Sequence, residues 1–157
     1  MDRLRGRDGS SPDDTGPVED EAFADDLEPV EEIGIRHLTP DEQATLEEAR
    51  ARYGELGIDP ADLDTVAAAY DRAVDAHVEG DASSAVDVIG TAIGDHLVLA
   101  GYRWVVSIDP FGTDLAVEPP RRGVPVVTRM LVAVRWMSRE KGWVTGVTEH
   151  LARAGSH

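Results

Sequence analysis

The sequence contains no cysteine. Disulfides, thiolate nucleophiles and cysteine-based zinc or iron–sulfur sites are therefore excluded, and a small fold without disulfides fits a reducing compartment. Aromatic residues make up only 5% of the 157 residues, so a core must come mainly from Val, Leu, Ile and Ala. No stretch approaches the roughly 20 apolar residues that span a bilayer. The opening residues, MDRLRGRDGSSPDDTG, lack the apolar segment of a secretory signal, and the expectation is a cytoplasmic protein without membrane contact. Lysine is nearly missing as well. Of 15 basic residues only Lys141 is Lys, which together with the many Ala, Val, Asp and Gly residues suggests a bacterial genome rich in G and C. The motifs of the large enzyme families are absent too: there is no GxSxG, no HExxH, no P-loop lysine and no GxGxxG with its acidic partner.

Acidic charge is abundant. Asp and Glu number 31, for a net charge of −16, and a nucleic-acid partner is not expected because phosphate binding needs basic side chains. The charge is unevenly spread. Residues 1–35 hold 12 acids and 3 bases (−9), residues 36–118 hold 17 and 5 (−12), and residues 119–157 hold 2 and 7 (+5). The C-terminal quarter is thus a basic island, available either to acidic helices of its own fold or to a partner. Residues 1–35 read as a disordered acidic tail, since they mix Gly, Ser and Pro with dense Asp and Glu and can bury too little apolar surface to offset their ordering entropy. Residues 36–157 read as a single α+β domain.

That domain opens with a helix. Thr39 is an N-cap, Pro40 fits the first helical position, and Glu42 completes a capping box. Leu46, Ala49, Tyr53 and Leu56 then recur at helical spacing, and Gly54 or Gly57 ends the run. A second helix is expected from Asp59 as cap and Pro60 as first residue, with an apolar stripe of Leu63, Val66, Ala67, Tyr70, Val74 and Val78 and a stop at Gly80. A third runs from Ser83 or Ser84 to Ala100, with Val86, Ile89, Ile93 and Leu97 on one face. Gly90 and Gly94 lie one turn apart on it, and such a pair predicts that another backbone passes close by.

The period then changes from helix to strand. Trp104, Val106 and Ile108 alternate with Arg103, Val105 and Ser107, and Thr113, Leu115 and Val117 follow the same rule. Between them Asp109, Pro110 and Gly112 occupy positions of a type I turn, so a β-hairpin is predicted in which Asp109 holds the turn. VPVV at 124–127 is a candidate third strand, confined to an edge by Pro125. Thr128 is then expected to cap a helix lined on one face by Met130, Leu131, Val134 and Met137. A last helix places Val144, Val147 and Leu151 inward. The whole is three N-terminal helices, a small antiparallel β-sheet built on a hairpin, and one or two C-terminal helices.

Few residues invite chemistry. The carboxylates Asp95, Asp109 and Asp114 with His96 surround one hairpin, and a small hydrolase or metal-dependent enzyme using them is one reading, provided that they converge. No two His residues lie at HxH or HxxxH spacing, and a set of His96, His150 and Asp114 needs tertiary contact. No cofactor is implied. The preferred reading is a non-enzymatic protein-binding module. Its contact face is formed by Arg129, Arg135, Trp136 and Arg139, since Trp and Arg are enriched at interface hot spots. Trp104 is assigned to the core.

The runs AIGDHLVLAGYRWVVSIDPFGTDLAV and RMLVAVRW resemble a bacterial family of uncharacterised domains, domain of unknown function 3806. The residues that carry the likeness are Gly94, Asp95, Leu97, Trp104, Asp109, Gly112, Arg135 and Trp136, across roughly residues 85 to 140. The resemblance supports the α+β reading and transfers no catalytic residue.

Overall fold

The computed structural model describes residues 34–76, 82–121 and 123–156. The elements in chain order are β1 (Gly34–Arg36), α1 (Pro40–Arg50), α2 (Tyr53–Leu56), α3 (Leu63–Asp75), α4 (Ala82–Leu99), β2 (Arg103–Asp109), β3 (Gly112–Glu118), α5 (Thr128–Met137) and α6 (Val144–Gly155). The architecture is α+β: among the described residues there are five helices of ten residues or more, one short helical turn, and an antiparallel sheet in the order β1-β2-β3. The chain divides into two compact units. The larger comprises Ile35–Ser107 and Thr113–His157; the described part of the smaller is Gly34 with the hairpin tip Ile108–Gly112. The acidic tail expected over residues 1–35 lies, up to residue 33, outside the described residues.

In the larger unit α4 is the central element. It packs against α1, α3, α5 and α6, which explains why it is apolar well beyond one stripe. Val86, Ile89, Ile93 and Leu97 are buried as the spacing predicts, and Val88 and Ala92 are buried with them. Around α4 lie Val66, Tyr70 and Val74 of α3, Val132 of α5 and Val144 of α6. The middle of the sheet is covered on both sides, so Val105 and Val106 on β2 and Ala116 and Val117 on β3 are all buried despite opposite side-chain directions.

Local signals set most element ends. At α1 the capping box forms as read: Glu42 N–H donates to the Thr39 hydroxyl and Thr39 N–H to the Glu42 carboxylate. Arg36 grips the same carboxylate with both terminal nitrogens at 2.8 Å, and these bonds hold the Glu42 pKa down at about 2. The expected first helix breaks at Ala51–Arg52, and its second piece, α2, closes at Gly57 in the left-handed region with φ +70°.

Four further expectations differ from the structure. First, α3 begins at Leu63, capped by Asp62, rather than at Pro60. Asp59 instead accepts from Ala61 N–H, and the Thr65 hydroxyl bonds the Asp59 backbone, so residues 59–62 form a turn of their own. Second, α3 ends at Asp75, not Gly80; Val78 and Gly80 lie outside the described residues. Third, the third strand of the sheet is β1, not residues 124–127, which contribute one antiparallel bridge from Val126 to Val117. Pro125 has no N–H with which to extend that bridge. Fourth, α5 is turned about its axis. Thr128 is 2% exposed and Val132 0%, whereas Met130, Val134 and Met137 are 49%, 56% and 84% exposed; of the expected face, Leu131 alone is half-buried against the core. Thr128 makes no side-chain cap, and Val127 occupies the N-cap.

Candidate functional site

Three places in the larger unit merit description, and most of the residues singled out from the sequence fall into the first two. The first is centred on Asp95, on the last turns of α4. Its carboxylate accepts from Arg50 Nε at 2.9 Å and Nη2 at 2.8 Å, from the Tyr53 hydroxyl at 2.8 Å and from Trp104 Nε1 at 3.0 Å. Helix α1 thus supplies the arginine, α2 the tyrosine and β2 the indole. Burial pushes the Asp95 pKa up, but the Arg50, Trp104 and Tyr53 bonds outweigh it and hold the carboxyl below its ordinary range. The same carboxylate raises the Tyr53 pKa after burial has done so, and raises that of Arg50. All four donors are spent on positioning. Asp95 therefore works as a structural joint that ties three elements to α4.

The glycines one turn apart explain the rest of that face. A Cβ on Gly90 would lie 2.9 Å from the Arg129 Cα, so the backbone of α5 does cross there, as the spacing predicts. At Gly94 the neighbour is a side chain. A Cβ would lie 2.3 Å from Cζ2 of Trp104. Gly94, Asp95 and Trp104 are thus one packing unit: the glycine admits the ring and the carboxylate fixes its N–H.

The other members of the proposed acidic set do different work. His96 donates from Nδ1 to the Pro60 carbonyl at 2.7 Å. Asp109 accepts from Phe111 N–H at 2.8 Å and Gly112 N–H at 3.1 Å, which is the turn role read from the sequence. Asp114 is exposed on β3. No group of three or more His, Asp or Glu able to hold a metal ion occurs among the described residues. His150 is exposed on α6, and His77 lies outside the described residues.

The second place is the underside of α5, where Arg135 and Trp136 point. Trp136 and Trp143 both meet Tyr70 edge-on, with ring centroids 5.9 and 5.3 Å away, and the Arg135 guanidinium stands 4.8 Å from the Trp143 ring centre. Arg135 and Trp136 are half-buried there. Arg139, in the left-handed region with φ +57°, donates to the Val74 carbonyl at 2.9 Å and so closes the end of α3. Arg129 is exposed and forms an ion pair with Asp87 of α4. The outward face of α5 consequently carries Met130, Val134 and Met137, three residues at i, i+4 and i+7, beside Arg129.

The third place was not visible in the sequence. A cavity of about 460 Å³ opens between α1, α4, the two long strands and the start of α5. Leu46 and Ala49 of α1, Val88 of α4 and Trp104 of β2 contribute its apolar wall, and Glu48, Asp114, Arg52 and Arg129 lie on it. These residues are scattered over some 80 positions and share no motif, which is why no sequence signal found them. No helix among the described residues is long and apolar enough to cross a membrane. In comparisons with known proteins, no family model, no curated protein and no solved structure matches the chain.

Proposed function

We propose that this chain is a non-enzymatic, cytoplasmic protein-binding module. Its contact face is the outer side of α5, bounded by Arg129 at one end and Arg139 at the other. The observation that carries this reading is the exposure of Met130, Val134 and Met137 along a single helical stripe. Contiguous exposed apolar surface on a small domain marks interaction sites, and methionine adapts its shape to a partner. Charge indicates the partner's chemistry. Residues 119–139 contain five Arg and no acid in a chain of net charge −16; of these, Arg129 and Arg139 border this face, and it suits a protein segment with apolar side chains flanked by carboxylates. Arg135 and Trp136 act from beneath, fixing the roll of the helix through Tyr70 and Trp143.

The alternative, a small hydrolase or metal-dependent enzyme, loses two members of its acidic set to structural duties. Asp95 is filled by three donor side chains, and His96 is tied to a backbone carbonyl. The test is site-specific photocrosslinking in the native cell from positions 130, 134 and 137, with Ala68, exposed on α3, as control. The reading requires one identified protein crosslinked from all three α5 positions and not from Ala68, through a segment with acidic flanks. Equal yields from α5 and from Ala68 would overturn it.

A further inference from the structure

The cavity between α1, α4, β3 and the start of α5 shares Arg129 with the α5 face but none of the exposed apolar residues Met130, Val134 and Met137. We propose that it binds an organic cation, an ammonium or guanidinium group carried on a short aliphatic stem. Its volume of about 460 Å³ lies within the range of small-molecule sites, which are mainly apolar with a few placed polar groups. The apolar wall comes from Leu46, Ala49, Val88 and Trp104. Of these, the indole is held before any ligand arrives, because its N–H is bonded to Asp95 and its ring edge rests against Gly94. A wall fixed in advance costs little ordering on binding.

The charges on the wall decide the sign of the ligand. Both cations there are already engaged: Arg52 Nε lies 2.6 Å from Glu55, and Arg129 is paired with Asp87. Two carboxylates, Glu48 on α1 and Asp114 on β3, line the same cavity with no ion-pair or hydrogen-bond partner among the described residues. They belong to different elements, so this is not a row of neighbours on one helix. An anion would meet two unpaired negative groups and no free cation. A neutral apolar guest would cover those carboxylates and give them nothing in return. An amphipathic cation can pair with a carboxylate of the wall while its stem covers the apolar part, and the net charge of −16 adds a long-range field of the same sign. The cation can be a free small molecule or the side chain of an Arg or Lys on another protein.

The experiment is a titration of the full-length chain with n-butylguanidinium, followed by NMR at the Trp104 indole N–H. The controls are n-butanol and butyrate, which share the stem and lack the positive charge. Saturable binding with a Kd of about 1 mM or tighter is expected, with a shift of the Trp104 signal and at least tenfold weaker binding by butanol. The double variant E48Q/D114N should lose about tenfold in affinity with a melting temperature no lower than that of the native chain, since neither residue has a structural partner. A second variant, Ser84→Phe, intrudes on the same wall and should abolish binding. A peptide with one central Arg, compared with its citrulline counterpart, separates the sources. Tighter binding of the Arg peptide than of butylguanidinium assigns the site to a protein side chain; the reverse order assigns it to a small molecule. Equal binding of butanol and butylguanidinium, full affinity in E48Q/D114N, or no saturation would each overturn the proposal. The α5 crosslinks would be untouched by any of these results.

Discussion

Asp95 gathers four hydrogen bonds onto one carboxylate whose side chain is only 16% exposed. Replacing it by Asn removes the charge facing Arg50 and leaves the guanidinium half-buried beside a neutral amide. A fully buried pair broken in this way costs about 3–5 kcal/mol; with Arg50 34% exposed and solvated, about 2 kcal/mol is expected. The dependence on pH follows from the direction of the shift. The folded-state pKa of Asp95 is depressed, so its contribution is complete above the unfolded value near 3.9 and is lost as pH falls through the folded value. Urea unfolding of the native chain and of Asp95→Asn should therefore show a constant gap from pH 7 to about 5 that narrows below about 4. Protonation of the remaining carboxylates acts on both chains alike and drops out of the difference. Gly94 gives a second residue-scale prediction. In Gly94→Ala the methyl meets the indole at 2.3 Å, and a ring held by its own N–H bond cannot step aside. A loss of about 3 kcal/mol is expected from such overpacking, with a shifted Trp104 indole resonance; a variant as stable as the native chain would refute the packing role.

Elements were legible in the sequence where a local rule was sufficient. The capping box at Thr39 and Glu42, the Asp109 turn and the apolar spacing of α4 each depend on residues a few positions apart, and each stands as read. Helix α5 was read with the wrong face inward. Met130, Val134 and Met137 and the true inner set of Thr128, Val132 and Arg135 both repeat at helical spacing, and hydropathy favours the former. Tertiary contact overrides it, because Gly90 brings α4 against the backbone of residues 128 and 129, and the Tyr70–Trp143 pair offers Arg135 an aromatic seat. Neither contact has a local signature. The cavity was illegible for the same reason, its walls being assembled from five elements. Two substitutions separate the faces. Val132→Ala should cost about 2 kcal/mol as a buried truncation, and Met137→Ser, 84% exposed, should leave stability within about 0.5 kcal/mol. Thermal unfolding of both variants decides the matter; equal losses would mean that the outer face is buried in solution.

The molecule as a whole carries a surplus of 16 negative charges, and residues 36–118 alone account for −12. Among the described residues most ion pairs are exposed, as in Arg52 with Glu55, Arg103 with Glu118 and Lys141 with Asp75. Exposed pairs of this kind contribute about 0–1 kcal/mol each and fade with salt. The half-buried Arg50–Asp95 pair is screened less. Repulsion among the unpaired carboxylates acts over longer distances. At 0.01 M salt the screening length is about 30 Å and reaches across a domain of this size; at 0.15 M it is about 8 Å and does not. Added salt therefore removes more repulsion than attraction, and the folded state, which concentrates the charge, gains relative to the unfolded chain. The melting temperature should rise by several degrees between 0.01 and 0.15 M sodium chloride, most steeply at the low end where the screening length changes fastest. A melting temperature that stays level or falls over this range would show that the exposed ion pairs, not the net charge, govern the electrostatics of the fold.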